Sequence, residues 1–142
     1  TTPFAREKRD HRDFALWKPT KEEGEASWGS PWGPGRPGWH IECSSFCRKM
    51  FGDVPPCPVL HSGGRDLRFP HHENEIAQSQ ALLGTERWVQ HWVHAGQLSI
   101  RGLKMSKSLK NFVTIHDYLA QGGSPTLWRL FCLLHRYSAD IE

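Results

Sequence analysis

Between Trp28 and Trp39 the chain reads WGSPWGPGRPGW, with four Gly and three Pro in twelve residues. Proline fixes φ and removes a backbone donor while glycine adds conformational freedom, so no regular helix runs through this stretch and an irregular loop is expected. Three of the seven Trp sit in it. They are expected to pin the loop down rather than leave it free. Ahead of it, residues 1–27 alternate in charge as far as Lys21 and hold one apolar run, Phe14-Ala15-Leu16-Trp17. They are expected to form a linker with one short docking element.

Beyond the loop, local signals become regular. Ile41 to Phe51 has helical spacing and Gly52 as its stop. Pro55, Pro56 and Pro58 break the chain, and Val59 to His61 reads as a short buried strand running into the turn Ser62-Gly63-Gly64. His72 to Leu83 is the clearest helix, ended by Gly84. Trp88 to His94 and Leu98 to Ile100 fit two strands, or a helix followed by a strand; periodicity leaves both open. Ile115 to Gln121 and Pro125 to His135 read as helices, the second with Pro in its first turn. The element order is α/β, and in open α/β sheets ligands bind beyond the carboxyl ends of strands.

Composition removes some classes. The longest apolar run, Leu130 to Leu134, has five residues, against roughly 20 for a membrane-spanning helix, so no membrane partner is expected. No signal segment opens the chain, and a start at Thr1 suggests a piece of something longer. Four Cys and nine His favour a reducing compartment, with thiols or a metal rather than disulfides. The net charge of +3 is small, but Arg101, Lys104, Lys107 and Lys110 lie between Trp88 and His116 with no anion among them, a local positive field suited to phosphates.

Three constellations carry chemistry. His71 and Glu75 are four apart at a helix start and share a face, which suits Zn²⁺. A thiol from Cys43 or Cys47, also four apart, would complete a set, while His72, three before Glu75, competes with His71. Helix caps and core thiols, or a structural Cys₂His₂ site, are the plainer readings of the same spacing. Second, His61-Ser62-Gly63-Gly64-Arg65-Asp66 follows a strand: glycines admit a nucleotide close to backbone N–H groups, and Asp66 could accept from ribose hydroxyls. Many tight turns carry two Gly for conformational reasons alone. Third, Lys104-Met105-Ser106-Lys107-Ser108 is a cationic, hydroxyl-bearing loop suited to a polyphosphate whose charge rises as pyrophosphate departs.

That pentapeptide is the signature loop of class I aminoacyl-tRNA synthetases, unaltered. Together with Gly38-Trp39-His40-Ile41-Glu42-Cys43 and Phe69-Pro70-His71-His72-Glu73-Asn74-Glu75-Ile76-Ala77-Gln78, in that order, the chain from about Phe14 to its end resembles the cysteinyl-tRNA synthetase family. The resemblance implies the second half of a Rossmann-like parallel-sheet catalytic domain followed by the first helices of a helical region. Residues 1–27 then end a connective insertion, 28–112 form the carboxyl-terminal half of the catalytic domain, and 113–142 begin the helical region. The implied activity is ATP-dependent joining of L-cysteine to tRNA(Cys), with Mg²⁺ accompanying ATP. Cys43, His71 and Glu75 match three of four Zn²⁺ ligands. Trp39 matches the aromatic wall beside the substrate side chain, and His61 lines the same pocket. Gly63, Gly64 and Asp66 match the loop near adenosine, and Lys104, Met105, Ser106, Lys107 and Ser108 the phosphate-side loop, where Lys107 stabilises departing pyrophosphate. Zn²⁺ would select a thiolate over a serine hydroxyl, which a hydrophobic pocket separates poorly.

Departures from the family pattern are informative. Ser62 and Lys110 stand where the family commonly has Gly. The His-Ile-Gly-His motif and a further ligand Cys are absent, so the chain is expected to be a fragment that does not activate cysteine by itself. A non-catalytic module that binds Zn²⁺ or cysteine is the alternative from another class. A zinc hydrolase finds no residue that points to water activation. The cytoplasm and the mitochondrial matrix both fit.

Overall fold

The computed structural model describes residues 8–53, 58–106 and 108–142. The chain divides into two compact units, one of Thr1–Leu60 with Phe69–His91 and one of His61–Arg68 with Trp92–Glu142.

In the first unit, β1 (Trp17–Pro19) pairs antiparallel with β2 (Gly35–Pro37), Lys18 opposite Arg36. The Gly- and Pro-rich stretch is therefore less irregular than its composition leads one to expect: residues near its end form a strand. Two short strands whose prolines fall at their ends tolerate the missing donors. A Cβ at Gly35 would fall on the Lys18 carbonyl and 2.6 Å from Trp17 Nε1, which explains glycine there. The like charges of Lys18 and Arg36 are relieved by Glu25, whose Oε1 accepts from Arg36 Nε at 2.5 Å. The loop is tied down on both flanks by its backbone, not by burial of its tryptophans: Trp28 and Gly35 exchange backbone hydrogen bonds and Gly38 N donates to Leu16 O, whereas Trp28, Trp32 and Trp39 are exposed.

Helix α1 spans Trp39–Phe51, with Gly38 as its N-cap. It begins two residues before the point that apolar spacing marks, since Trp39 and His40 continue the helical turn although neither belongs to the apolar stripe. Helix α2 (Glu73–Leu83) ends at Gly84, which is left-handed at φ 61° and ψ 35°, as the terminal glycine predicts. The two helices pack together, and across them buried Ser44 donates from Oγ to Gln78 Oε1 at 2.6 Å. Arg68–His72, leading into α2, is kinked at Phe69 and contains a cis Phe69-Pro70 bond. Trp88 and Val89 are the buried apolar residues of the described chain.

In the second unit, β3 (Leu60–Gly64) and β4 (His91–Ala95) form a small parallel sheet. Thus Trp88 to His94 resolves toward the strand reading, a choice made by pairing with β3 rather than by any property of its own side chains. β3 takes in the Ser62-Gly63-Gly64 stretch expected as a turn, and Val59 and Leu60, expected to be buried, are exposed. A short 3₁₀ turn, Arg65–Leu67, follows β3. β5 (Ser99–Ile100) and β6 (Leu103–Lys104) make an antiparallel hairpin. Its turn residues Arg101 and Gly102 have φ of 53° and 72°, the signature of a type I′ turn. Helix α3 (Ile115–Ala120) opens on a capping box between Thr114 and Asp117, and α4 (Pro125–Leu134) carries Pro at its start. Among the described residues, no helix is long and apolar enough to cross a membrane.

Candidate functional site

Two clusters of predicted residues take shape, one in each unit. In the first, α1 presents Cys43 and the kinked entry to α2 presents His71, with Glu75 one turn into that helix. One donor atom from each lies within 4.8 Å of the others. His71 is 4% exposed and Glu75 fully buried, with His71 Nε2 at 2.7 Å from Glu75 Oε1. Burial pushes the Glu75 carboxyl up to about 7. The Cys43 thiol is also raised, first by burial and then by the Glu75 and Glu42 carboxylates. Both groups thus keep their protons more tightly than usual until a cation arrives.

The donor set fits Zn²⁺. Tetrahedral bonds of roughly 2.0–2.3 Å space their ligand atoms about 3.3–3.8 Å apart, within the spread seen here. Sulfur, imidazole nitrogen and carboxylate oxygen are the usual donors, and three protein ligands leave a fourth position for another group.

Spacing leaves Cys43 against Cys47 and His71 against His72 undecided, and the structure brings Cys43 and His71 together at Glu75. Cys47 also comes within 4.8 Å of Glu75, but it is Cys43 that shares a set with His71. His72 is buried, its ring 5.8 Å from that of His71. Trp39 stands on the first turn of α1, its ring 4.3 Å from the His71 ring.

His40 is a member of the cluster that spacing does not single out. Its Nδ1 lies 2.7 Å from His71 Nδ1, and its ring meets Phe14 edge-on at 5.7 Å. Burial, then the Lys18 charge, holds His40 below the ordinary imidazole value and so neutral. With His71 as donor of that bond, its Nε2 lone pair is left facing the Glu75 side, the arrangement that metal-binding imidazoles take. A His beside Trp39, one helical turn before Cys43, is the signal that could have found it.

In the second unit, the turn after β3 and the end of β6 meet through Asp66 and Lys104. Lys104 Nζ donates to Asp66 Oδ2 at 2.6 Å, which holds the Asp66 carboxyl below its ordinary range. Lys104, expected in a flexible loop, is the last residue of β6. A Cβ on Gly64 would come within 2.5 Å of Asp66 Oδ1, so glycine keeps room for that carboxylate. Asn111, also unforeseen, clasps the loop: its Oδ1 accepts from Ser106 N at 2.9 Å and its Nδ2 donates to Lys104 O at 3.2 Å. Met105 Sδ accepts from Val113 N at 3.4 Å, and the Ser106 and Ser108 hydroxyls lie 3.2 Å apart. Gly63 is half-buried within β3. His61 stacks on Trp92 at 4.7 Å, and Trp92 in turn on His94 at 6.3 Å. Burial, with His94 second, keeps His61 below the usual imidazole value. Lys107 lies outside the described residues, as does Cys57.

All 142 residues match the family model described as the tRNA synthetases class I (C) catalytic domain. The chain belongs to this family. It is similar to the protein named cysteine--tRNA ligase of Geobacillus thermodenitrificans, 56% identical over 135 residues, which are 95% of this chain and 28% of that protein. The cytoplasmic cysteine--tRNA ligase of Dictyostelium discoideum is 53% identical over 141 residues, 99% of this chain and 21% of the relative. That of Drosophila melanogaster is 53% identical over 136 residues, 96% of this chain and 18% of the relative. The chain therefore spans between about a fifth and somewhat over a quarter of the length of these class I relatives.

Proposed function

We propose that this chain is the part of a cysteine--tRNA ligase that selects cysteine and grips ATP, within a Rossmann-like half-domain at 28–112 followed by the helical start at 113–142. The observation that carries the proposal is the convergence of Cys43, His71 and Glu75 in a chain of this family. Zn²⁺ held by these three would supply a borderline-soft Lewis acid that prefers the thiolate of L-cysteine to a hydroxyl. Around it, Trp39 walls the side-chain position and His40 holds the His71 imidazole in orientation. Asp66 accepts from the ribose hydroxyls of ATP, and Gly63 and Gly64 allow backbone approach to the adenosine. Lys104, Met105, Ser106, Lys107 and Ser108 face the triphosphate with its Mg²⁺, and the two lysines balance the charge that grows as pyrophosphate leaves. His61 completes the lining of the substrate pocket. tRNA(Cys) takes the activated cysteine, and the compartment is the cytoplasm or the mitochondrial matrix.

The test replaces the matching segment of the Geobacillus thermodenitrificans protein by these 142 residues and measures ATP–pyrophosphate exchange. Exchange that depends on cysteine and not on serine is expected, and Lys107→Ala should slow it about 10²- to 10³-fold with zinc content unchanged. The 142 residues alone, which hold no His-Ile-Gly-His, are expected to support none. Stoichiometric zinc in a replaced protein without exchange would favour the non-catalytic zinc module.

A further inference from the structure

We infer that Asp140 is a positioning residue for the nucleotide-facing turn: its carboxylate holds Arg65, and Arg65 sets the direction in which its neighbour Asp66 faces Lys104. The inference rests on the proposed reading that Asp66 and Lys104 meet ATP.

The segment after α4 is laced to residues 96–99. Gly96 N donates to Tyr137 O at 2.8 Å, Ile141 N to Gln97 O at 2.9 Å and Ser99 N to Ile141 O at 2.8 Å. The approach is so close that a Cβ on Gly96 would overlap the Ala139 carbonyl. Asp140 is thereby a carboxylate with a fixed backbone, and it divides its oxygens. Oδ1 accepts from Gln97 N at 2.9 Å, and Oδ2 pairs with Arg65 Nη2. The next residue along, Asp66, pairs with Lys104 at the end of β6.

The turn Arg65–Leu67 is three residues long and leaves directly from Gly64, the last residue of β3. Arg65 ties it to Asp140 on one side, while Asp66 reaches Lys104 at the end of β6 on the other. The Arg65–Asp140 pair is about half exposed, 57% and 46%, and such pairs contribute little to stability. Orientation is what a charge-assisted contact from a planar guanidinium supplies, here through the single pair of Arg65 Nη2 and Asp140 Oδ2. Losing it should misalign Asp66 and weaken ATP binding, with chemistry, cysteine binding and zinc untouched, because the donors Cys43, His71 and Glu75 belong to the other unit.

The experiment uses the same replaced Geobacillus protein. Asp140→Asn keeps an acceptor for Gln97 N and removes the charge that holds Arg65. It is expected to raise KM for ATP about tenfold, with kcat, KM for cysteine and zinc content within about twofold of the parent. Arg65→Gln should do the same, and the double variant should be no worse than either single, since both remove one contact. An unchanged KM for ATP in Asp140→Asn, effects that add in the double variant, or equal losses for both substrates overturn the inference. A parent protein without exchange overturns the ligase reading and this inference with it; an active parent insensitive to Asp140→Asn overturns only the latter.

Discussion

The metal-candidate cluster and the nucleotide-candidate pair solve opposite problems. Glu75 is fully buried and His71 nearly so, so their donors are held in place by packing, and burial disfavours the ionised Glu75 carboxyl. Lys104 and Asp66 are 51% and 43% exposed and satisfy one another in solvent that screens them. A buried donor set gains geometry at an electrostatic cost that a dication can offset. A half-exposed ion pair contributes little to stability and can exchange partners when a ligand brings hydroxyls and phosphates. The first is suited to selecting a substrate and the second to gripping and releasing one.

If this contrast holds, the largest effects fall on the buried side. Cys43→Ala should abolish stoichiometric zinc, measured by elemental analysis of the purified chain, whereas Cys47→Ala should retain it; equal losses would mean that the wrong face of α1 has been assigned. Zinc affinity should fall about 10³-fold between pH 8 and pH 6, because the raised Cys43 thiol releases one proton on binding throughout that range and Glu75, near 7, releases a second below it. A flat profile in a competition titration would show that the two groups are not ligands.

Without metal the sign reverses. The folded value of Glu75, about 7, lies above its ordinary 4.5, so the protonated form suits the fold. Its stabilisation is present in acid and is lost as pH rises toward and through about 7. Glu75→Gln should therefore raise the stability of the metal-free chain by roughly 3 kcal/mol at pH 8 and change little at pH 4, read by denaturant melts. No gain at pH 8 would show that His71 already compensates the carboxylate.

Effects on the exposed side should be smaller. Lys110 adopts φ 53°, left-handed backbone that disfavours a side chain, so Lys110→Gly is expected to stabilise by about 0.5–1 kcal/mol; a loss would show that the lysine makes a compensating contact. Asp66→Asn should shift the same melts by less than about 0.5 kcal/mol, while weakening ATP in the replaced ligase. A large stability loss there would make Asp66 structural and erase the contrast.

Features carried by near neighbours along the chain are legible in the residues themselves. Gly84 and the polar-apolar run ahead of it mark the end of α2, Thr114 and Pro125 open α3 and α4 where their capping chemistry says they should, and the signature loop is visible as five residues. Lys110 is legible as a departure, but only its φ shows why glycine is common there. The strand in the Gly- and Pro-rich stretch is hidden because β2 exists only by pairing with β1, sixteen or more residues earlier. His40 escapes notice because its importance lies in a ring 31 positions away.

By itself, then, the sequence determined the helices, the breaks between them, the reservoir of donors and the family to which they point, since these depend on spacing, capping and motif order within a few turns of chain. The tertiary structure decided which alternatives meet. Cys43 and His71 converge on Glu75, Asp66 finds Lys104 across 38 positions, and Arg65 finds Asp140 across 75. Partner choice at such separations follows from how strands pair and helices pack, and no local period records it.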